Sequence, residues 1–186
     1  AWEDDSGALY DEDAGVWLMF NGVDKAANTP QGKWGIGFML SHFACKLWKK
    51  SGEQMWLISP RVAAIRIEVP DKDGKSLGLH LVHGCATQQD ASDILRDECH
   101  GHLDEGLDAR QPGDFVIFTT DANCSIGTRA DNEHDSVRGE HGEPHRNAAG
   151  DFLHVWAGQR HLFAATTLFP GPKPHNGYGT WRHPRS

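Results

Sequence analysis

The chain has 186 residues, 38% of them apolar and 24% charged, which is enough for one domain with a hydrophobic core and excludes a disordered tail. Its formal net charge is −8 with 12 histidines counted as neutral, which argues against nonspecific nucleic-acid binding through a broad basic surface. No apolar run approaches the roughly 20 residues that cross a bilayer, so no membrane-spanning segment is expected.

Residues 1–14 hold Glu3, Asp4, Asp5, Asp11, Glu12 and Asp13 and are expected to be an acidic, weakly ordered N-terminal segment ahead of a single domain over 15–186. The chain begins with Ala1 and has no charged-then-apolar leader, as expected of a processed or excerpted polypeptide. "GVWLMFNG" (15–22) and "WGIGFMLS" (34–41) read as two strands of a hairpin, joined by the polar loop "VDKAANTPQGK". "MWLIS" (55–59) is a third strand. In "RVAAIRIEV" (61–69) the residues Ala63, Ile65, Ile67 and Val69 make an apolar face, with Val62, Ala64, Arg66 and Glu68 on the other. "PDKDGKS" is a hairpin turn, and "LGLHLVHGCA" (77–86) is the returning strand.

The segment 90–110 gives the clearest helix: Asp90 or Ser92 caps it, and Ile94, Leu95, Cys99, His102, Leu103 and Leu107 recur near a period of 3.6. "GDFVIFTT" (113–120) is a buried strand that runs into Asp121 and Asn123. The polar stretch 129–150 is a long loop, 151–161 a second helix, "LFAATTLF" (162–169) a strand, and "GYGTWRH" a last short strand. Strand pairs alternating with helices predict a mixed α/β (α+β) two-sheet sandwich flanked by helices. Cys45, Cys85, Cys99 and Cys124 contain no CxxC pair and are expected to be reduced thiols, which leaves the compartment open. Among His80, His83, Cys85, Cys99, His100 and His102, only His83 with Cys85 and Cys99 with His102 share a face, a spacing that fits no closed zinc site.

In this order the segments resemble the endonuclease/exonuclease/phosphatase family, and most closely the endonuclease domain of non-LTR retrotransposons, over about Trp17 to Ser186. "GIGFMLS" is similar to the family's glycine-rich strand, "SPRVAAIRIEV" to its next pairing strand, and "LHLVHGCATQQDASDILRDECHGHL" to the strand and helix of its Tyr-Ala-Pro motif. "VIFTTDANCSIGTR" takes the place of its Gly-Asp-Phe-Asn motif, and "VRGEHGEPHRNAAGDFLHVWAGQRHLFAATTLF" and "TWRHPRS" match its downstream loop, helix and strands. The resemblance implies Mg²⁺-dependent phosphodiester hydrolysis, with a metal held by oxygen ligands and a His–Asp pair that helps to activate water. It gives Asp121 and Asn123 the roles of orienting the nucleophile and steadying charge on phosphorus, and puts His83, Cys85 and Arg182 beside substrate.

The departures from the pattern are specific. Thr120-Asp121-Ala122 stands where the family has Gly-Asp-Phe, Cys85 stands at the Tyr of Tyr-Ala-Pro, and Thr87 at its Pro. The family's metal-binding Glu precedes the first strand and its catalytic His follows "TWRHPRS", so relative to the family the domain is incomplete at both ends. The expectation is a retroelement-derived, catalytically degenerate domain that serves as a structural or binding subunit, its open sheet edges covered by other protein subunits. The alternative is the central part of an active Mg²⁺-dependent DNA endonuclease whose other ligands lie elsewhere, with nucleic acid as partner.

Overall fold

A central strand organises the fold because six consecutive residues, Val62 to Ile67, are buried on both of its faces. The computed structural model describes residues 7–22, 35–87, 91–129 and 135–170. The chain divides into two compact units, Ala1–Ala122 and Asn123–Ser186.

The first unit is an α+β sandwich of a three-stranded and a four-stranded sheet. Strands β1 (Gly7–Asp11), β2 (Val16–Gly22) and β3 (Gly35–Ser41) form the smaller, antiparallel sheet in sequence order. Helix α1 (His42–Lys50) leads to β4 (Met55–Ser59), β5 (Val62–Pro70) and β6 (Ser76–Cys85), then to helix α2 (Asp93–Asp108) and β7 (Phe115–Asp121). In this second sheet β4, β5 and β6 are antiparallel neighbours, and α2 carries the chain across so that β7 lies parallel to β6. Met19, Leu40, Cys45, Trp48, Ile65 and Ile67 form the core that joins β2, β3, α1 and β5. The face with Ile65 and Ile67 is the apolar face that the alternation of 61–69 predicts.

The opposite face of the second sheet receives α2 through Cys99, Leu103, Gly106 and Leu107. Two glycines permit this approach. A Cβ on Gly84 would lie 2.6 Å from Leu103 Cδ2, and one on Gly106 would lie 3.1 Å from Val82 Cγ1. His80 is fully buried at this seam; its Nε2 sits 2.7 Å from Gly106 O, while Nδ1 has no hydrogen-bond partner. The Gly106 carbonyl can only accept, so Nε2 holds the proton, and burial pushes the imidazole below its ordinary pKa of 6.5. The unfolded chain therefore takes up this proton before the folded one does. Stability is expected to fall as pH drops below about 6.5, a trend that a His80→Phe variant weakens between about pH 7 and pH 5 in urea melts, with His100, also lowered by burial, carrying the remainder.

Arg66 on β5 makes a buried, forked pair with Asp114 just before β7: Nε lies 2.9 Å from Oδ2 and Nη2 3.0 Å from Oδ1. Arg66 Nη1 also donates to Glu68 Oε1 at 2.8 Å, and the Gln111 N–H donates to Asp114 Oδ2 at 2.9 Å. Burial opposes ionisation of Asp114, but the bonds from Arg66 and Gln111 outweigh it and hold the carboxyl below its ordinary range. The guanidinium passes over Gly78, where a Cβ would lie 1.8 Å from Asp114 Oδ1.

Two expectations need correction, and one helix was not foreseen. Residues 7–11, expected within a weakly ordered segment, form β1: the apolar triplet Ala8-Leu9-Tyr10 pairs with β2, and Gly15 (φ 65°) closes the turn on Asp11. Helix α1 was not anticipated; Ser41 Oγ caps it by accepting from Ala44 N at 3.2 Å, and Cys45 and Trp48 anchor it. The predicted strand 162–169 is instead a loop with a 3-10 turn at Ala165–Thr167. There Thr167 Oγ1 accepts from Gly139 N at 2.7 Å and donates to Ala164 O at 2.7 Å, so side-chain bonds replace a ladder. The strand "GYGTWRH", the loop 23–33 and Arg182 lie outside the described residues.

The second unit is built around helix α3 (Ala148–Gln159), capped by Asn147, whose side chain accepts from Gly150 N at 2.9 Å. The long polar loop is ordered over 135–147 by one buried carboxylate. Asp135 accepts from Val137 N at 2.8 Å, Arg138 N at 3.1 Å, and His154 Nε2 at 3.0 Å, and pairs with the buried Arg138 guanidinium. Burial opposes ionisation here too, and these donors together hold Asp135 well below the carboxylate range.

Candidate functional site

Two parallel strands that end side by side place their last residues together. In the β6–β7 register His83 faces Thr119 and Cys85 faces Asp121. Residues two apart on a strand share a face, so His83, Cys85, Thr119 and Asp121 all belong to one face at the carboxyl ends of the strands. This is the position at which open α/β sheets bind ligands. The sequence puts His83 and Cys85 on one face, and the structure brings Asp121 beside Cys85.

Backbone hydrogen bonds fix the edge. Cys85 N donates to Arg61 O at 2.9 Å, and Ala86 N donates to Asp121 O at 2.9 Å. Arg61 Nη1 reaches the Cys85 and Ala86 carbonyls at 3.4 and 3.3 Å, which brings a cation to the strand end. His83 Nδ1 lies 2.9 Å from Thr119 Oγ1, and the His83 ring meets Phe38 edge to face at 6.2 Å between centroids. The Thr119 hydroxyl also lies within bonding reach of Val82 O, at 3.3 Å. Asp121 is exposed at the end of β7.

Asn123, at the start of the second unit, has φ 46°, the left-handed region that asparagine tolerates better than most residues. It follows Asp121 by two residues, in a segment that leaves the sheet.

The Cys85 thiol is pushed up by burial, with the Asp121 carboxylate adding to the effect and Arg61 opposing it. A protonated, half-buried thiol is neither a nucleophile nor a hard-metal ligand. Cys99 is raised by burial as well, and its Sγ lies 3.8 Å from the Cys85 carbonyl. All four cysteines are free thiols. Among the described residues no group of three or more His, Cys, Asp or Glu side chains is placed to hold a metal ion.

Two members of the edge were not anticipated. Thr119 shares parity with Asp121, so period-2 spacing could have found it. Arg61 precedes its strand and reaches the edge across the β5–β6 hairpin, and although that hairpin is legible in the sequence, the contact of the Arg61 guanidinium with the Cys85 and Ala86 carbonyls is not. The Asp135–His154 pair of the second unit was also missed. Its carboxylate is buried and accepts from Val137, Arg138 and His154, as expected of a tie that fixes the loop on α3.

Among the described residues no helix is long and apolar enough to cross a membrane. No family model matches the chain, and neither a curated protein nor a solved structure matches it.

Proposed function

We propose that this chain is a retroelement-derived, catalytically degenerate endonuclease/exonuclease/phosphatase-like domain that serves as a structural or binding subunit of a larger assembly. The observation that carries this reading is the state of β7. Among the described residues it pairs only with β6, and Phe115 and Ile117 on its open face are 54% and 40% exposed. An edge strand with an apolar face invites a second chain unless something covers it. Degeneracy is supported by Cys85: a neutral thiol sits in register with Asp121 where the resemblance expects a phenol.

The test is the surface itself. The wild-type chain is expected to self-associate in sedimentation and to enhance the fluorescence of a hydrophobic dye, and a Phe115→Glu/Ile117→Lys variant is expected to lose both. A wild-type chain that stays monomeric and dye-silent at all concentrations tested would sink the binding reading.

A second reading is favoured by one feature, the exposed Asp121 carboxylate at the carboxyl end of a parallel pair, beside His83 and Thr119. On it the chain is the central part of a Mg²⁺-dependent DNA endonuclease, with its remaining ligands outside the described residues and Arg182 among the groups that approach DNA.

A further inference from the structure

Among the described residues the outward face of the three-stranded sheet is apolar and uncovered. Leu9, Leu18 and Met39 are register partners across β1, β2 and β3, so they form one row, opposite to the face that carries Met19 and Leu40 into the core. They are 50%, 42% and 71% exposed. Phe20, two residues beyond Leu18, extends the row and lies against Gly7, whose Cβ would meet the ring at 3.2 Å. At the other end charge is one-sided. Asp11 is the charged residue at an outward strand position, and it runs into Glu12 and Asp13 in the exposed β1–β2 turn. A hydrophobic strip with Leu18 at its centre, a highly exposed methionine on one side and an acidic end has the chemistry of a groove for a basic amphipathic helix.

The dimensions agree. Three strands at about 4.8 Å spacing put β1 and β3 about 10 Å apart, which is the width of one helix. The seven residues of β2 run for about 24 Å, the length of a helix of about 16 residues. A second copy of this chain is a poorer occupant, because a two-fold face-to-face pairing sets acidic ends close together in a chain of net charge −8.

We propose that the outward face of the β1–β2–β3 sheet docks an amphipathic helix of a partner protein, with its apolar stripe on Leu9, Leu18, Met39 and Phe20 and its lysine or arginine residues against Asp11, Glu12 and Asp13. The proposal rests on the reading of the chain as a binding subunit, but it uses a surface other than β7.

The test uses the full chain and a labelled synthetic peptide of about 16 residues with leucines at i, i+3, i+4 and i+7 and lysines between them, titrated by fluorescence anisotropy. Controls are a scrambled peptide and one with glutamates for the lysines. The lysine peptide is expected to bind, and the controls to bind about tenfold more weakly or worse. Met39→Lys, at an exposed position where the fold tolerates a charge, is expected to weaken binding by about tenfold or more. Glu12→Lys/Asp13→Lys is expected to weaken it severalfold and to flatten the salt dependence. Equal binding to Met39→Lys or equal binding of the scrambled peptide overturns the proposal. So does failure of the lysine peptide to bind, or a dimer in sedimentation that Met39→Lys abolishes. Loss of self-association in the Phe115→Glu/Ile117→Lys variant is read separately, so failure of one surface is distinguishable from failure of the other.

Discussion

Asp114→Ala is expected to destabilise the first unit by about 3–5 kcal/mol, because it leaves the Arg66 guanidinium buried without its forked partner. The Arg66 and Asp114 side chains are 8% and 3% exposed, so water cannot take over the lost bonds. Glu68 retains its bond to Nη1, but it is 43% exposed and supplies a single contact, which places the effect toward the lower end of that range. Urea melts should show a lower midpoint with an unchanged slope. Gly78→Ala attacks the same pair from the other side, since its Cβ would displace the Asp114 carboxylate. Its cost should overlap with that of Asp114→Ala, so the double variant falls well short of the sum. A loss below about 1 kcal/mol for Asp114→Ala would mean that the pair is not desolvated as described.

Leu103→Ala is expected to cost about 3 kcal/mol, within the range for a buried leucine on a face that cannot collapse. Leu103 is 2% exposed on α2, and the strand beneath it is held by β5 and β7 on either side. The position opposite, Gly84, makes a sharper test. Gly84→Ala alone overpacks the seam, because its methyl would lie 2.6 Å from Leu103 Cδ2, and about 1–3 kcal/mol is expected to be lost. In the Leu103→Ala background the same methyl enters the vacated space. A double-mutant cycle should therefore give a favourable coupling of about 1 kcal/mol or more, and an additive result would contradict the packing of α2 on β6.

The sequence made the central strands legible because their signal is local. In 61–69 alternation separates Ile65 and Ile67 from Arg66, and the structure turns those two sets to opposite faces. Of the two caps the sequence offers, Asp90 and Ser92, it is Ser92 that caps α2, its hydroxyl accepting from Leu95 N at 3.4 Å. What failed was non-local. Thr167 lies in an apolar run that reads as a strand, yet its bonds go to Gly139 and Ala164. Helix α1 has nine residues and only two buried side chains, too short a stripe to outweigh the strand that runs into it. Tyr10 and Leu9 form a strand because β2 offers a partner, although the acidic residues around them suggest a solvated segment.

The edge divides in the same way. His83 and Cys85 could be placed on one face from parity alone, but Asp121 joins them only through the β6–β7 register. The state of Cys85 could not, because it depends on burial and on Arg61, which reaches it from the turn just before β5.

The measurement that bears most directly on the account is nicking of supercoiled plasmid over a Mg²⁺ series by the wild-type chain and by Asp121→Ala, from matched preparations with a magnesium-free control. A degenerate edge predicts that any residual nicking is the same in both proteins and independent of Mg²⁺. Mg²⁺-dependent nicking by the wild type that disappears in Asp121→Ala would contradict the account and establish the strand end at Asp121 as a working active site.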